Sequence, residues 1–297
     1  MSAAITIGLA LLGGPLLAGV VRKHLRARVH SRGGPPVLQP FYDLLKLLVK
    51  EDLRSSPSPV VAYGPMVALA AALVAALATP MGTQPPLGQY ADMIVFAYLI
   101  TIAAVATAMV GLSSLSPFSV VGAGREIMLG IVVEPVMVIC LVTAAVKAHS
   151  LVLWDMAQAG AVGGTPPSMI VAAIALLIAM QAQIGKQPFD IVEAETEVMG
   201  GPLVELSGPR LALFEWSAFV RQIVYASMLA SIFIPWGIGY AFPWNLVAHL
   251  AKLAAIYALV GLVDVVNPRL RVEQAMRFLV LVIAVAVVGL GLALGGH

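Results

Sequence analysis

The sequence predicts an all-α, polytopic membrane protein with eight transmembrane helices. Of the 297 residues, 60% are hydrophobic and only 11% are charged, whereas an average soluble domain carries about 25% charged residues. Apolar runs about 20 residues long, the length of helix that crosses a bilayer, recur along the chain. We therefore treat residues 1–297 as a single membrane domain.

The first apolar run, residues 3–21, predicts the first span, and the charges around it predict its orientation. No basic residue precedes the run, whereas Arg22, Lys23, Arg26 and Arg28 follow it. Because Lys and Arg favour the cytoplasmic side of a membrane, we expect the N-terminus outside and residues 22–56 in the cytoplasm. This order of charges is the reverse of that in a cleavable signal peptide.

The cytoplasmic segment 22–56 is expected to contain one short helix. Glycine and proline at positions 33–36 break any helix that continues from the first span. After Gln39-Pro40, leucines alternate with charged residues as far as position 52. This pattern is typical of an amphipathic helix that lies on a membrane or against a partner protein.

Seven further apolar runs predict the second to eighth spans. They cover residues about 60–79, 91–112, 125–147, 168–185, 216–240, 245–265 and 278–295. In this topology 14 of the 17 Lys and Arg residues fall in or beside cytoplasmic segments, and the exceptions are Lys147, Arg221 and Lys252. The positive-inside rule therefore predicts both termini outside. A turn at 113–124 and an acidic loop at 186–215 are expected in the cytoplasm.

The residue types present exclude several kinds of site. The single cysteine, Cys140, can form no internal disulfide and cannot hold an iron–sulfur cluster by itself. The five histidines lack the spacing of metal ligands, so we predict no metal site and no catalytic centre in this chain. Nothing in the composition suggests binding to nucleic acid.

Two carboxylates fall inside the fourth predicted span. An ionised side chain of this kind costs about 2.5–3.5 kcal/mol at a helix centre, so Glu134, eight residues into the span, needs a polar partner or a function. Glu126 stands about 80° from it around a helix, and both can therefore face the same side of the bundle. For Glu126 an interfacial pair with Arg125 stays open as an alternative. Pro135 removes a backbone hydrogen bond beside Glu134, which favours water there.

The sixth predicted span carries one cation, Arg221. It can pair with Glu215 near the interface or with a carboxylate from another helix. Both pairings remain open at this stage.

Six of the fifteen carboxylates lie in the stretch Gln181–Trp216, and they are Asp190, Glu193, Glu195, Glu197, Glu205 and Glu215. Three of them are spaced i, i+3, i+7, so a helix over 190–197 would place Asp190, Glu193 and Glu197 on one face. Like charges held together raise each other's pKa values. A solvated acidic loop is the alternative, but apolar residues interleaved with the carboxylates favour buried packing.

The same stretch carries a family motif, QPFDIVEAETEV-x-GG-x-LVELSGP followed by Phe214-Glu215-Trp216. Gly34-Pro35 and Gln39-Pro40 in the first segment and Asn267-Pro268-Arg269-Leu270-Arg271 near the end add two further motifs. Together they resemble the complex I subunit 1 family. That family includes the membrane subunits of energy-converting group 4 [NiFe] hydrogenases and formate hydrogenlyases.

The resemblance implies an eight-helix subunit of the prokaryotic cytoplasmic membrane that links a peripheral electron-transfer arm to antiporter-like membrane subunits. It implies an ion path or coupling role for Glu134, Glu193, Glu195, Glu197, Glu205 and Glu215. The charges discussed above add Glu126, Asp190 and Arg221 to this expected path. It implies docking of the peripheral arm near Arg28 and Arg32. We expect the other motif positions to belong to the same docking surface, namely Gln39, Asp43, Lys46, Arg269 and Arg271. Iron–sulfur clusters and a nickel–iron centre are expected in the small and large partner subunits, with no cofactor in this chain.

The short first loop, which runs directly from Gly34-Pro35 to Gln39-Pro40, looks like that of the hydrogenase branch. We therefore expect a membrane-anchoring subunit that couples electron transfer to proton or sodium movement through a chain of glutamates. A quinone-binding subunit 1 of a complex I-type quinone oxidoreductase is the first alternative. A stand-alone ion transporter is a second, although no internal repeat supports it. A purely structural anchor is a third, and the deep Glu134 argues against it.

Overall fold

A computed structural model describes residues 2–53 and 56–296, without the side chains of Ser2, Glu195 and Thr196. Within that part the chain is helical apart from its loops and one isolated β-bridge between Asp92 and Val152. The helices are α1 (Ala3–Val29), α2 (Gln39–Val49), α3 (Pro59–Ala78), α4 (Met93–Ser113), α5 (Pro117–Ala148), α6 (Leu153–Gly163), α7 (Pro167–Gln183), α8 (Gly208–Met228), α9 (Trp244–Val266) and α10 (Val272–Leu294). The all-α prediction is confirmed.

Six helices of the described part are long and apolar enough to cross a membrane, namely α1, α3, α4, α5, α9 and α10. The fifth predicted span corresponds to α7, an apolar helix of only 17 residues. The sixth corresponds to α8, which carries charged residues and continues through a π-helical turn, Leu229–Phe233. The chain is therefore a multi-pass membrane protein.

Several predicted boundaries are wrong because helices extend past the apolar runs that define a span. Helix α5 begins at Pro117, so most of the predicted turn 113–124 is helical. Helix α8 begins at Gly208, which shortens the predicted loop 186–215 and places Glu215 inside a helix. Proline in the first turn of each helix lacks only an N–H that would have no helical partner anyway.

The first segment folds back onto the bundle. Helix α2 forms over the predicted residues, with Leu44 buried and Leu45 and Val49 exposed. A Cβ atom at Gly19 of α1 would come 1.9 Å from the carbonyl oxygen of Val37, so only glycine allows this contact. The approach places the segment that precedes α2 directly against α1.

Loops meet at two opposite ends of the bundle. At the end that we call the acidic end, Arg125 donates to the carbonyl of Ile191, and Leu270 donates its backbone N–H to the carbonyl of Pro188. At the opposite end, Ser231 donates to the carbonyl of Pro80 and Leu153 pairs with Ala91. The segment between α7 and α8 therefore lies at the acidic end, together with the loops before α5 and α10.

Helix α8 lies in the middle of the bundle. From Gln222 to Phe233 every residue is buried. The indole N–H of Trp216 donates a 3.0 Å hydrogen bond to the carbonyl of Leu11, inside the first π-helical turn of α1. Because α8 is surrounded by other helices, the polar residues along it face protein rather than lipid.

Candidate ion path

The acidic segment between α7 and α8 is packed against the bundle. Ile191, Val192 and Val198 are buried, and Ser119 of α5 donates a 3.1 Å hydrogen bond to the carbonyl of Gly201. Gly201 has a φ of +60°, and a Cβ there would come 2.1 Å from the carbonyl oxygen of Val192. The packing expected from the interleaved apolar residues is confirmed, and the solvated loop is not observed.

The predicted helix over 190–197 does not form. Only Glu195–Val198 makes a helical turn, so Asp190, Glu193 and Glu197 do not share a helix face. The backbone before it is instead fixed by distant groups. Gln181 donates to the carbonyl of Gln187 at 2.6 Å, and Asp264 accepts the Gln187 N–H at 3.0 Å.

Glu197 connects two other parts of the acidic end. Its Oε2 lies 2.7 Å from Nη1 of Arg125 in α5, and its Oε1 lies 3.5 Å from Nη2 of Arg269 in the loop before α10. The hydrogen bond from Arg125 holds the pKa of Glu197 below its usual value, and Arg269 acts in the same direction. Glu197 is therefore held as an anion and ties the segment to two elements.

A cavity of about 50 Å³, the inner cavity, brings together charged groups from three elements. Glu126 of α5, Glu193 of the acidic segment, and Glu215 and Arg221 of α8 all line it. One water needs at least about 10–15 Å³, so the inner cavity has room for a few water molecules. Nε and Nη1 of Arg221 are buried and lack a hydrogen-bond partner among the described residues. Such unpaired donors favour bound water.

Glu193 also lines a second, larger cavity of about 390 Å³, the open cavity. The other charged groups of the open cavity are Arg26, Lys186, Asp190, Asp264 and Arg269. A third cavity of about 40 Å³, the side cavity, shares Arg26, Lys186 and Asp264 with it. The open cavity lies between the other two, because it shares Gly185 and Glu193 with the inner cavity and Arg26, Lys186 and Asp264 with the side cavity. We call the three together the row of cavities, and Glu193 stands where the inner and open cavities meet.

Glu193 has the properties of a group that changes charge near neutral pH. The side chain of Glu193 is exposed where it lines the two cavities. Protein atoms surround its carboxyl group on the remaining sides. That burial, together with the charge of Glu215, raises the pKa of Glu193 to about 7 against the opposing effect of Lys186. A carboxyl with this pKa can take up and release a proton under physiological conditions.

Glu134 lies outside this row of cavities but not far from it. The charges of Glu126, Glu134 and Arg221 all act on the buried phenol of Tyr225, one helical turn beyond Arg221 on α8. That the two glutamates of α5 face the same side of the bundle remains a prediction. Tyr225 was not predicted as a site residue, because a tyrosine inside an apolar run gives no signal in the sequence.

Two further predicted path residues do not line the inner cavity, and the side chain of a third is not described. Asp190 lines the open cavity, whereas Glu205 lies near the start of α8 and lines none of the three cavities. The side chain of Glu195 lies outside the described part of the structure.

The predicted docking residues lie at the acidic end. Arg28, Arg32, Asp43 and Lys46 are exposed, and Gln39 donates a 2.8 Å hydrogen bond to Asp43. Arg271 is exposed at the start of α10, whereas Arg269 is only partly exposed and is joined to Glu197. Their role in docking remains a prediction.

Sequence reasoning missed four charged groups that the fold adds to this row of cavities. They are Arg22, Arg26, Lys186 and Asp264. Asp264, near the end of α9, fixes the acidic segment because its carboxylate accepts the backbone N–H of Gln187. The i, i+4 spacing of Arg22 and Arg26 at the end of the first span was the signal that pointed to a shared face.

No group of three or more His, Cys, Asp or Glu residues is placed to hold a metal ion in the part of the chain that the structure describes. The geometry instead supports the movement or redistribution of charge. A row of carboxylates and cations with room for water can pass protons or respond to a nearby change in charge.

Known proteins resemble this chain over most of its length. The family model described as NADH dehydrogenase matches residues 1–294. The chain is 35% identical over 279 residues to formate hydrogenlyase subunit 4 of Escherichia coli (strain K12), covering 89% of this chain and 88% of that protein. It is 34% identical over 258 residues to hydrogenase-4 component C of the same organism, covering 84% and 82%.

One solved structure shares the fold over nearly the whole chain. It is that of the membrane-bound sulfane sulfur reductase, an archaeal respiratory membrane complex. A chain of that complex superposes with a TM-score of 0.87 at 25% identity, covering 98% of both chains.

Proposed function

The chain belongs to the NADH dehydrogenase family, and on that premise we propose that it is the membrane-anchoring, ion-translocation-coupling subunit of a complex I-related hydrogenase complex. The relatives named for formate hydrogenlyase and hydrogenase-4 support the hydrogenase type. The chain itself carries out no redox step. It passes the effect of electron transfer in a peripheral arm to proton or sodium movement in the membrane.

The single observation that supports this most is the meeting of two cavities at Glu193. One cavity opens at the acidic end, where the peripheral arm docks, and the other reaches Glu126 and Arg221 among the helices. A carboxyl at that junction whose pKa is about 7 can exist in both charge states during turnover.

The coupling step follows from the fixation of the acidic segment. Electron transfer in the docked arm changes the charge beside this segment and moves the carboxyl group of Glu193 relative to Lys186 of the same segment. Because Lys186 lowers the pKa of Glu193, moving Lys186 away favours proton uptake by the carboxyl. The altered charge of Glu193 then changes the electrostatic attraction between Arg221 and the glutamates Glu126 and Glu215. This change drives ion movement in the neighbouring subunits.

The proposed topology has eight spans with both termini outside. In addition to the six long apolar helices, α7 and α8 cross the membrane, and polar residues of α8 are tolerated because helices cover it. The acidic end then faces the cytoplasm, which agrees with the positive-inside distribution. Helix α2 lies at the membrane surface on that side.

The proposed partners supply the chemistry that this chain lacks. A small subunit with iron–sulfur clusters and a large subunit with a nickel–iron centre dock on the exposed basic residues of the first segment, such as Arg28 and Arg32. Antiporter-like subunits and membrane lipids cover the bundle within the membrane.

A Glu215→Gln variant tests this function. In vesicles that contain the whole complex, we expect hydrogen formation to continue while ion translocation per hydrogen falls about tenfold, the effect of about 1.4 kcal/mol on a rate. Glu273→Gln is the matched control, because Glu273 is exposed at the start of α10 and lines none of the three cavities. Normal translocation by Glu215→Gln would contradict the proposal. Inhibition of the purified complex by quinone-site inhibitors would instead favour the quinone-reducing alternative.

A further inference from the structure

The end of the bundle opposite the acidic end contains a buried lysine that the proposed path does not use. Lys252 of α9 is 5% exposed. Its Nζ donates hydrogen bonds of 2.8 Å to the carbonyl oxygens of Ala230 and Ile234. It lies 6.0 Å from the ring centroid of Trp236. A lysine in a membrane span often extends to the membrane surface, but Lys252 instead stays buried among the helices.

One role of Lys252 is structural. Helix α8 ends in the π-helical turn Leu229–Phe233, and Pro235 has no N–H to donate to the last carbonyls of that turn. The lysine supplies the missing donors. A guanidinium could do the same, so this role alone does not require a lysine.

His249, three residues before Lys252 and beside it on the helix surface, has a feature that the structural role does not explain. It is 1% exposed, and its Nε2 lies 3.3 Å from Oγ of Ser227. Its Nδ1 is buried without a hydrogen-bond partner among the described residues. Leaving such a polar group unpaired in the protein interior is destabilising. A bound water that donates to Nδ1 removes that destabilisation.

The surroundings contain no carboxylate that neutralises this site in the described structure. Helix α8 contributes Ser227, the loop after α8 contributes Trp236, and the loop after α3 places Gly82 against His249. Lys252 makes no ion pair within the described residues, and two of its three N–H groups are used on carbonyls. The third N–H remains able to transfer its proton.

His249 and Lys252 lie on α9 between one end of the bundle and the side cavity. At about 1.5 Å per residue, His249 lies about 7.5 Å and Lys252 about 12 Å from the first residue of the helix, Trp244. In the other direction, Tyr257 lines the side cavity and its hydroxyl is buried without a partner among the described residues. Within the described residues, helix α9 therefore carries unsatisfied polar atoms on His249 and Tyr257. They lie between the end of the bundle opposite the acidic end and the side cavity.

We propose that Lys252 and His249 form a proton-binding site that serves as the outer station of ion translocation, and this rests on the proposed function. A proton carried on Nζ of Lys252 passes through bound water to Nδ1 of His249, which holds it only transiently and releases it through water towards the outer end of α9. A proton arriving from the side of Tyr257 restores the ammonium group. The number of protons is conserved in each transfer. The site binds protons and needs no other ligand.

The test uses Lys252→Arg in the whole complex in vesicles. Arginine keeps the positive charge and the donors for Ala230 and Ile234 but does not release its proton. We expect assembly and hydrogen formation to be retained while protons translocated per hydrogen fall about tenfold. Full translocation by Lys252→Arg would overturn the proposal and leave only the structural role.

His249→Gln supplies a second test that does not depend on the packing of arginine. Glutamine can still bond to Ser227 but does not titrate, so we expect the same fall in translocation. Normal translocation by this variant would overturn the proposal even if Lys252→Arg failed to assemble. Measuring Glu215→Gln in the same vesicles distinguishes a failure of the proposed function from a failure of the outer station. If it translocates normally, the proposed function fails; if only the Lys252 and His249 variants translocate normally, the outer station alone fails.

Discussion

Arg125 of α5 binds Glu197 at 2.7 Å, and the same guanidinium nitrogen donates a 3.1 Å hydrogen bond to the carbonyl of Ile191. One side chain therefore holds both the helical turn Glu195–Val198 and the non-helical part of the acidic segment around Ile191. Arg269 reaches Glu197 only at 3.5 Å. Arg125 therefore attaches the acidic segment more strongly than Arg269 does.

Arg125→Gln should loosen the acidic segment more than Arg269→Gln. Hydrogen bonds that involve a charged group contribute about 1.5–3 kcal/mol, so we expect amide exchange over residues 189–199 to become about tenfold faster or more in Arg125→Gln. Hydrogen–deuterium exchange with mass spectrometry on the purified complex measures this. An equal effect of both variants would contradict the unequal attachment.

The thermal stability of the complex should depend on pH through Glu193. Its pKa of about 7 in the folded protein is above the ordinary value of 4.5. The folded state therefore binds more protons between these values, and stability falls as pH rises from about 4.5 to 7 and then levels off.

Glu193→Gln should reduce this dependence, because glutamine cannot titrate. We would compare the difference in melting temperature between pH 5.5 and pH 8 for wild-type and variant complexes. The control is Glu273→Gln, in which the wild-type difference should persist. An unchanged difference in Glu193→Gln would show that another group is responsible.

Gly201→Ala should disrupt the acidic segment. Alanine is strained at a φ of +60°, and its Cβ would come 2.1 Å from the carbonyl oxygen of Val192. Strain of this kind costs about 1–3 kcal/mol before the clash is counted. Gly124→Ala is the matched control, since no atom lies within 4 Å of a Cβ built at that position in α5. Yield and melting temperature of the complex should fall only for Gly201→Ala.

The sequence predicted the helical class and most spans, because long apolar runs determine which helices can enter a membrane. It identified Glu126, Glu193 and Glu215 as path residues, and all three line one cavity. The helix over 190–197 was wrong because Gln181 and Asp264 bind the backbone of Gln187 from other helices. A spacing rule contains no information about such distant bonds.

The residues that were missed share one physical property. Arg26, Lys186 and Asp264 come from three separate elements and meet only after folding. Lys252 and His249 stand inside a predicted span, where the position of helix α8 decides what they contact. The first set forms no local pattern along the chain, and the i, i+3 spacing of the second does not reveal what the two side chains contact.

The central claim is that Glu193 links charge at the acidic end to ion movement within the bundle. Its most direct test is the number of ions translocated per hydrogen formed by the Glu193→Gln complex in sealed vesicles. We expect hydrogen formation close to wild type with translocation reduced about tenfold. Translocation per hydrogen equal to wild type, with the Glu273→Gln control also normal, would contradict it.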